Sequence, residues 1–295
     1  MTIGVTGASG QLGGLVLEEL LARGVGAGAI VAISRSPQKL QRFADRGIDV
    51  RQGDFDDQAG LTAAFAGIER LLIIPSSDLR PGIRLPQHQR AIDAAKQADV
   101  KHLAYISTVG AHRGQDLFRS HVETELAVFA SGLSWTILRM GMYYDNLWMG
   151  TLQYALSAGV YAATAPTPAA NVARSDVAAA AAAIVSAGGH DGFIYHATGP
   201  HSQTPAEIAA VISEVFGRKV EAVGVTQDQF NGALKGAGLP DFAVDAVGGI
   251  EAARARGLLD LVTHDVEYLA GRKAQTLAEY LFANRHRAQQ QAAGH

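Results

Sequence analysis

The sequence predicts an α/β protein built on a doubly wound parallel sheet, with a smaller helix-rich C-terminal lobe. Three observations predict it. Short apolar runs alternate with segments of helical period along the first half of the chain, as in strands joined by covering helices. The stretch GVTGASGQLGG stands between the first such run and the first helix, where glycines would weaken either element. After about Asn146 the alternation gives way to mostly helical segments.

The elements follow in order. MTIGVTG is a short apolar run closed by glycine, and LGGLVLEELLARG carries apolar residues at helical spacing. AIVAISR reads as a strand, and SPQKLQRFADRG as a helix capped by Ser36, with Pro37 at its first position. DVRQGDF, ERLLIIPSS, KHLAYIST and SWTILRM continue the strands; LTAAFAG, LPQHQRAIDAAKQADV and RSHVETELAVFASG lie between them as helices. Strand, helix, strand repeated this way makes a parallel sheet covered on both faces. Further on, SDVAAAAAAIVSAG is a helix capped by Ser175 or Asp176, rich in the best helix former. DGFIYHAT is a strand. In TPAEIAAVISEVFGRKV, Thr204 is the expected N-cap, Pro205 the first helical residue and Glu207 the partner in a capping box. KVEAVGVT reads as a strand, QDQFNGALKGAG and DFAVDAVGGIEAARARG as helices, and RHRAQQQAAGH as a polar, frayed end.

Composition removes several classes of function. The chain has 295 residues, 48% hydrophobic and 18% charged, with a net charge of −3 and no block of Lys or Arg. Nucleic acid and anionic membrane are therefore not expected as partners. The absence of cysteine excludes a disulfide framework, a thiolate zinc site and a cysteine nucleophile. No apolar run reaches the ~18 residues of a membrane span, and no basic region precedes an apolar stretch at the N-terminus. The reading is a cytoplasmic protein. The ten histidines form no tight pair with a carboxylate, so no metal site is expected, and no G-x-S-x-G marks a serine hydrolase.

Gly7, Gly10 and Gly13 are spaced G-x-x-G-x-x-G between strand and helix. The first permits a tight turn, the second close approach to a pyrophosphate, and the third close helix–strand packing. The phosphates would sit on the free N–H groups of the helix N-terminus. That is the signature of dinucleotide binding on a Rossmann-type sheet. About 20 residues on, an Asp or Glu would bind the ribose hydroxyls of NAD. Here Ser34 and Arg35 stand in that place, with Lys39 one turn further, and an arginine fork suits a 2′-phosphate. NADPH is the expected cofactor, with weaker NADH binding. Asp54 fits either an acceptor for the adenine amine or a simple turn residue, with Phe55 beside the ring. Pro75, Ser76 and Ser77 end the fourth strand, near the nicotinamide ribose. The domains expected are 1–150 for NAD(P) binding, 151–285 for a substrate-binding lobe interleaved with it, and 286–295 as tail.

The glycine spacing and alternating sheet resemble the extended short-chain dehydrogenase/reductase superfamily. Most members carry a catalytic Tyr-x-x-x-Lys on the helix after the fifth strand and a Ser at that strand's end. This chain keeps Ser107, but has His121 and Glu125 in the Tyr and Lys places. Positions four apart share a helix face, so Glu125 is expected to raise the pKa of His121 and keep it protonated near neutrality. Alternatively the two form an ordinary surface pair. HVETE, AAKQADVKHLAYIS, RMGMYYDN, RSDVAAAAA and ALKGAGLPDF look like the atypical NmrA-like branch, and most like its type 2 NAD(P)H:quinone oxidoreductases, with triphenylmethane reductases close by.

The resemblance implies NADPH in the Rossmann cleft and a flat, conjugated small-molecule acceptor under the C-terminal lobe. It implies Gly7, Ala8, Ser9, Gly10, Gln11 and Leu12 on the pyrophosphate, Arg35 on the 2′-phosphate, and Pro75 to Ser77 with the loop from Arg174 to Val177 along the cofactor. The family tends to Asn where Met140 stands near the nicotinamide, and to Ser at Pro75; the loop from Val109 to Arg119, with His112, is this chain's own. His121, Ser107 and Tyr143 are the candidate catalytic residues. Met140, Met142, Tyr143, Tyr144, Trp148 and Met149 form a cluster read either as core or as acceptor pocket, with Tyr143 and Trp148 assigned to the pocket. Two functions are carried forward, as a monomer or homodimer. One is a reductase transferring hydride from NADPH to a quinone-like acceptor without Tyr-x-x-x-Lys. The other is a non-catalytic NADP(H)-binding sensor of the NmrA type.

Overall fold

The structure, a computed structural model, describes residues 1–111 and 118–288. The elements run β1 (Ile3–Val5), α1 (Gln11–Ala22), β2 (Ile30–Ser34), α2 (Gln41–Ala44), β3 (Asp49–Gln52), α3 (Gln58–Phe65), β4 (Arg70–Ile73), α4 (Arg84–Gln97), β5 (His102–Thr108), α5 (Arg119–Ala130) and β6 (Ser134–Met140). They continue with α6 (Thr151–Ala158), β7 (Val160–Ala163), α7 (Arg174–Ser186), β8 (Phe193–Ala197), α8 (Pro205–Phe216), β9 (Glu221–Gly224), α9 (Gln227–Gly236), α10 (Asp241–Ala255), α11 (Asp265–Ala270) and α12 (Leu277–Asn284).

Seven strands form one sheet in the order β3-β2-β1-β4-β5-β6-β8, every pair parallel. The order reverses direction beside β1, so the crevice at the carboxyl ends of β1 and β4 is where a Rossmann-type sheet binds its ligand. The β5–β6 register sets Ser107 opposite Arg139.

Contacts divide the chain into two compact units, and the division falls at Met140, where β6 ends, rather than at 150. The first unit comprises Met1–Met140, Ser175–Ala197 and Asp265–Gly271. Its core packs Ile33, Phe65, Leu71, Tyr105 and Ile137 between sheet and helices. Ala178 through Ala183 are all buried in α7, their small side chains fitting a helix enclosed on every side. Arg70 Nη2 donates to the Ile184 carbonyl at 3.0 Å, closing one of the orphan carbonyls at the end of α7. The second unit comprises Gly141–Arg174, Thr198–His264 and the chain from Arg272 onward. Its core holds Tyr144, Trp148, Leu152, Ile208, Ile212 and Leu281, and β7 pairs with β9 in a two-stranded parallel sheet.

Local signals performed unevenly. The capping box of Thr204 and Glu207 is present, with Pro205 at the first helical position. Ser36, in contrast, caps nothing with its side chain: its own N–H donates to Ser34 Oγ, and Pro37–Leu40 form a 3₁₀ turn ahead of the short α2. Neither Ser175 nor Asp176 caps α7, which begins at Arg174; the Arg174 N–H donates to Asp145 Oδ2 at 3.0 Å. That places a carboxylate from elsewhere on the positive helix end. Of the expected tail, 286–288 are helical and 289–295 lie outside the described residues. Among the described residues no helix is long and apolar enough to cross a membrane.

Candidate active site

A cleft of about 320 Å³ opens in the first unit, lined by Gly7, Ser9, Gly10, Gln11, Leu12, Arg35, Lys39, Asp54, Phe55, Pro75, Ser76 and Ser77 among others. Its floor is the glycine turn. Gly7 has φ +62°, a left-handed conformation that glycine adopts without strain. A Cβ on Gly13 would stand 2.4 Å from the Gly7 carbonyl oxygen and 2.7 Å from Ala8 Cα, so only glycine lets α1 pack on the turn. Gly10 precedes α1 without a side-chain cap, and no acid stands in the first turn. The helix end is therefore left open for an anion. Ala8 does not line the cleft. It is fully buried, and its N–H is spent on the Ile33 carbonyl at 3.1 Å.

The far rim carries hydroxyls and cations. Ser34, in the place of an NAD-type acid, is buried and shares a 2.6 Å hydrogen bond with Ser9, while accepting from the Ser36 N–H at 3.0 Å. Arg35 and Lys39 are exposed beside it. Across the cleft Asp54 lines the wall and also accepts from the Asp56 N–H at 3.1 Å, as a turn residue does. Gln87 on α4 lines the same wall, anchored by its Nε2 on Asp56 Oδ2 at 2.9 Å. No local signal in the sequence marked it; it arrives through the packing of α4. An open helix end and a cationic rim free of ribose-binding acid fit an NADP(H) molecule.

The loop after β4 is tied down from behind. The Ile74 N–H donates to Thr6 Oγ1 at 3.0 Å, Pro75 has no N–H, and the Ser76 N–H donates to His88 Nε2 at 3.0 Å. His88 is fully buried, and burial with the neighbouring Arg84 charge pushes its pKa down to about 3. It is a neutral imidazole. A donor at Nε2 assigns the proton to Nδ1, which donates to Thr124 Oγ1 at 2.9 Å; Thr124 donates onward to the Ser120 carbonyl.

His121 and Glu125 do not pair. Glu125 turns to β6, where Arg139 grips it at 3.0 and 2.6 Å, and Ser107 donates to it at 2.5 Å. His121 faces Tyr105, whose hydroxyl lies 2.9 Å from Nδ1, and Arg84, whose Nη2 lies 3.3 Å from Nε2. Burial, then the Arg84 charge, pushes the His121 pKa well below its ordinary value. The expected protonated imidazole is thus overturned: His121 is buried beside a cation and away from the carboxylate. Arg84 can only donate, so Nε2 accepts and the Nδ1 proton goes to Tyr105. Ser107 is committed to Glu125, Glu125 to Ser107 and Arg139, and His121 to Tyr105 and Arg84.

Met140 ends β6, its carbonyl accepting from the Val109 N–H at 2.8 Å. Tyr143 and Arg174 belong to the second unit. The Arg174 guanidinium lies 4.6 Å from the Tyr143 ring centroid and pairs with Asp145 at 3.0 Å. Burial raises the Tyr143 hydroxyl pKa. Trp148, expected to line a pocket, is 6% exposed and packs in the second unit's core with Tyr144 and Leu152; the pocket reading fails for it because its ring is needed to fill that core. His112 lies outside the described residues. Among the described residues no cluster of metal-ligating side chains is present.

Comparison with known proteins agrees with this geometry. A family described as NAD(P)H-binding matches residues 7–187. The chain is 39% identical to quinone oxidoreductase 2 of Escherichia coli (strain K12), over 94% of this chain and 96% of that one. The crystal structure of an NADPH-dependent quinone oxidoreductase from Escherichia coli complexed with NADPH superposes with a TM-score of 0.91 at 38% identity, covering 96% and 99% of the two chains. Triphenylmethane reductase of Citrobacter sp., complexed with NADP(H), superposes with a TM-score of 0.89 at 31% identity, covering 95% and 98%. With a Rossmann-type sheet, an open glycine turn and these full-length relatives, the chain belongs to the NAD(P)H-binding family.

Proposed function

We propose that this NAD(P)H-dependent oxidoreductase passes hydride from NADPH to a flat, conjugated acceptor of the quinone class, with no side-chain acid of the Tyr-x-x-x-Lys kind. NADPH supplies the hydride. The protein's part is to bind it with the glycine turn and the open end of α1, to hold the 2′-phosphate with Arg35 and Lys39, and to fix the loop 75–77 through Thr6 and His88. Met140 is assigned to the cofactor's surroundings.

The observation that carries the acceptor reading is the fate of the protons around α5. Ser107 spends its proton on Glu125, and His121 spends its one proton on Tyr105. An aliphatic ketone needs a proton delivered as its alkoxide forms. A quinone spreads the incoming charge through its own π-system and needs none at that moment. The full-length relatives named as quinone oxidoreductase and triphenylmethane reductase act, by those names, on conjugated molecules. The test is steady-state NADPH oxidation with a benzoquinone or naphthoquinone beside an aliphatic ketone. Turnover of the quinone and neglect of the ketone is the expected result. Preference for the ketone refutes the acceptor class, and tight NADPH binding with no turnover of any quinone or dye selects the sensor instead.

A further inference from the structure

We propose that Arg84 is a catalytic residue that receives the negative charge of the reduced acceptor, an inference that rests on the reductase reading above. Arg84 is the first residue of α4. Gln87 and His88 stand three and four residues on, on the same helix face. Gln87 lines the cleft, and His88 holds the loop that does. Arg84 itself reaches His121, which stands in the place of the catalytic tyrosine in short-chain reductases.

Among the described residues its charge has no close counter-charge. Arg139, Arg174 and Arg254 each close on a carboxylate, from Glu125, Asp145 and Glu251. Among the described residues no carboxylate lies within ion-pair distance of Arg84. The anion that acts on it from further off, Asp78, is gripped by Arg80 through Nε at 3.0 and 3.1 Å and through Nη2 at 2.5 Å. Its polar neighbours are Tyr105, whose hydroxyl burial keeps protonated, and the neutral imidazole of His121. Arg84 Nε is buried and has no hydrogen-bond partner among the described residues. A cation partly withdrawn from water with no counter-charge among the described residues is costly, and an arriving anion would relieve that cost.

The reaction provides one. Hydride brings two electrons and one proton to a quinone: a C–H bond of the dihydronicotinamide breaks, one bond to hydrogen forms on the quinone, and a hydroquinone monoanion results. That anion takes its second proton from water. Guanidinium donates hydrogen bonds to the charged oxygen and keeps its own protons throughout. Fixed donors aimed where charge develops act on the transition state more than on the neutral quinone.

The experiment uses full-length Arg84→Met and Arg84→Lys with 2,4-dinitrophenolate as probe, a flat conjugated oxyanion, bound in the presence of NADP⁺. Arg84→Met is expected to weaken phenolate binding by about tenfold or more and to lower kcat for a quinone by about 10²-fold. It should leave NADPH affinity unchanged and hold Tm level or raise it by roughly 2–4 °C, since a charge with no close counter-charge is lost. Arg84→Lys should retain most of the phenolate affinity. Phenolate binding and turnover in Arg84→Met equal to the native protein overturn the proposal. Arg84-dependent phenolate binding in a native protein that reduces no quinone overturns the quinone reading and leaves the oxyanion site standing.

Discussion

At the nucleotide cleft, α1 begins without a side-chain cap, and Arg35 and Lys39 stand exposed on the rim. Around Ser107 the reverse holds: Glu125 accepts from Ser107 and Arg139, His88 from Ser76, and Thr124 from His88. Both regions sit in the first unit and both are rich in hydroxyls and charges. One leaves its helix end without a side-chain cap and its cations exposed, which costs little while water can reach them. The other, cut off from water, has to satisfy each group internally. A ligand is read at the open, wet region, and a scaffold is fixed at the closed one. Arg84 departs from this, its buried Nε having no hydrogen-bond partner among the described residues.

The largest effect that would break this comparison is expected at Glu125. Glu125→Ala leaves Arg139 buried without its partner and should cost about 3–5 kcal/mol, read from the urea midpoint; an unchanged midpoint would mean the cluster is not a structural unit. Next comes the open region. Arg35→Ala removes a charge-assisted contact to the 2′-phosphate worth about 1.5–3 kcal/mol, so NADPH affinity should drop roughly tenfold or more while NADH affinity stays. Equal losses for the two cofactors would take the 2′-phosphate away from Arg35.

His88→Phe keeps the ring and deletes the acceptor of the Ser76 N–H. Leaving that donor unpaired should cost about 1–3 kcal/mol, with faster amide exchange at Ser76 and weaker NADPH binding. Normal exchange there would show that His88 merely fills space. The smallest effect is acid sensitivity. His88 and His121 have folded pKa values depressed below the unfolded value of about 6.5, so the unfolded chain binds more protons and stability falls as pH falls below that point toward the folded values. Between pH 6.5 and 5.5 each should remove about 1 kcal/mol, and His88→Phe should halve that loss. Stability rising on acidification would contradict two buried neutral imidazoles.

Much of this was legible in the sequence. The parallel sheet came from alternating periods, and the turn role of Gly7 and the packing role of Gly13 from their spacing. The cationic rim with Ser34 in the acid's place was also readable. What escaped depends on register and on distant partners. Spacing placed His121 and Glu125 on one helix face, but that β5 and β6 align Ser107 with Arg139 is fixed by sheet packing, and that alignment takes Glu125 away. The cap of α7 comes from Asp145, far outside any local window. The capping boxes of Thr226 with Gln229 and Thr276 with Glu279 carry a local signal of the same kind as Thr204 with Glu207. β7 has only four residues and pairs with non-consecutive β9, so no hairpin or crossover signal announces it.

In this reading, reduction proceeds without a titrating side-chain acid. Measuring kcat for quinone reduction at saturating NADPH from about pH 5.5 to 9, where a general acid of ordinary pKa would titrate, tests it most directly. A flat profile, unchanged in His121→Phe, is the predicted result. A single titration in that window that disappears in His121→Phe would contradict it and return the proton to the imidazole.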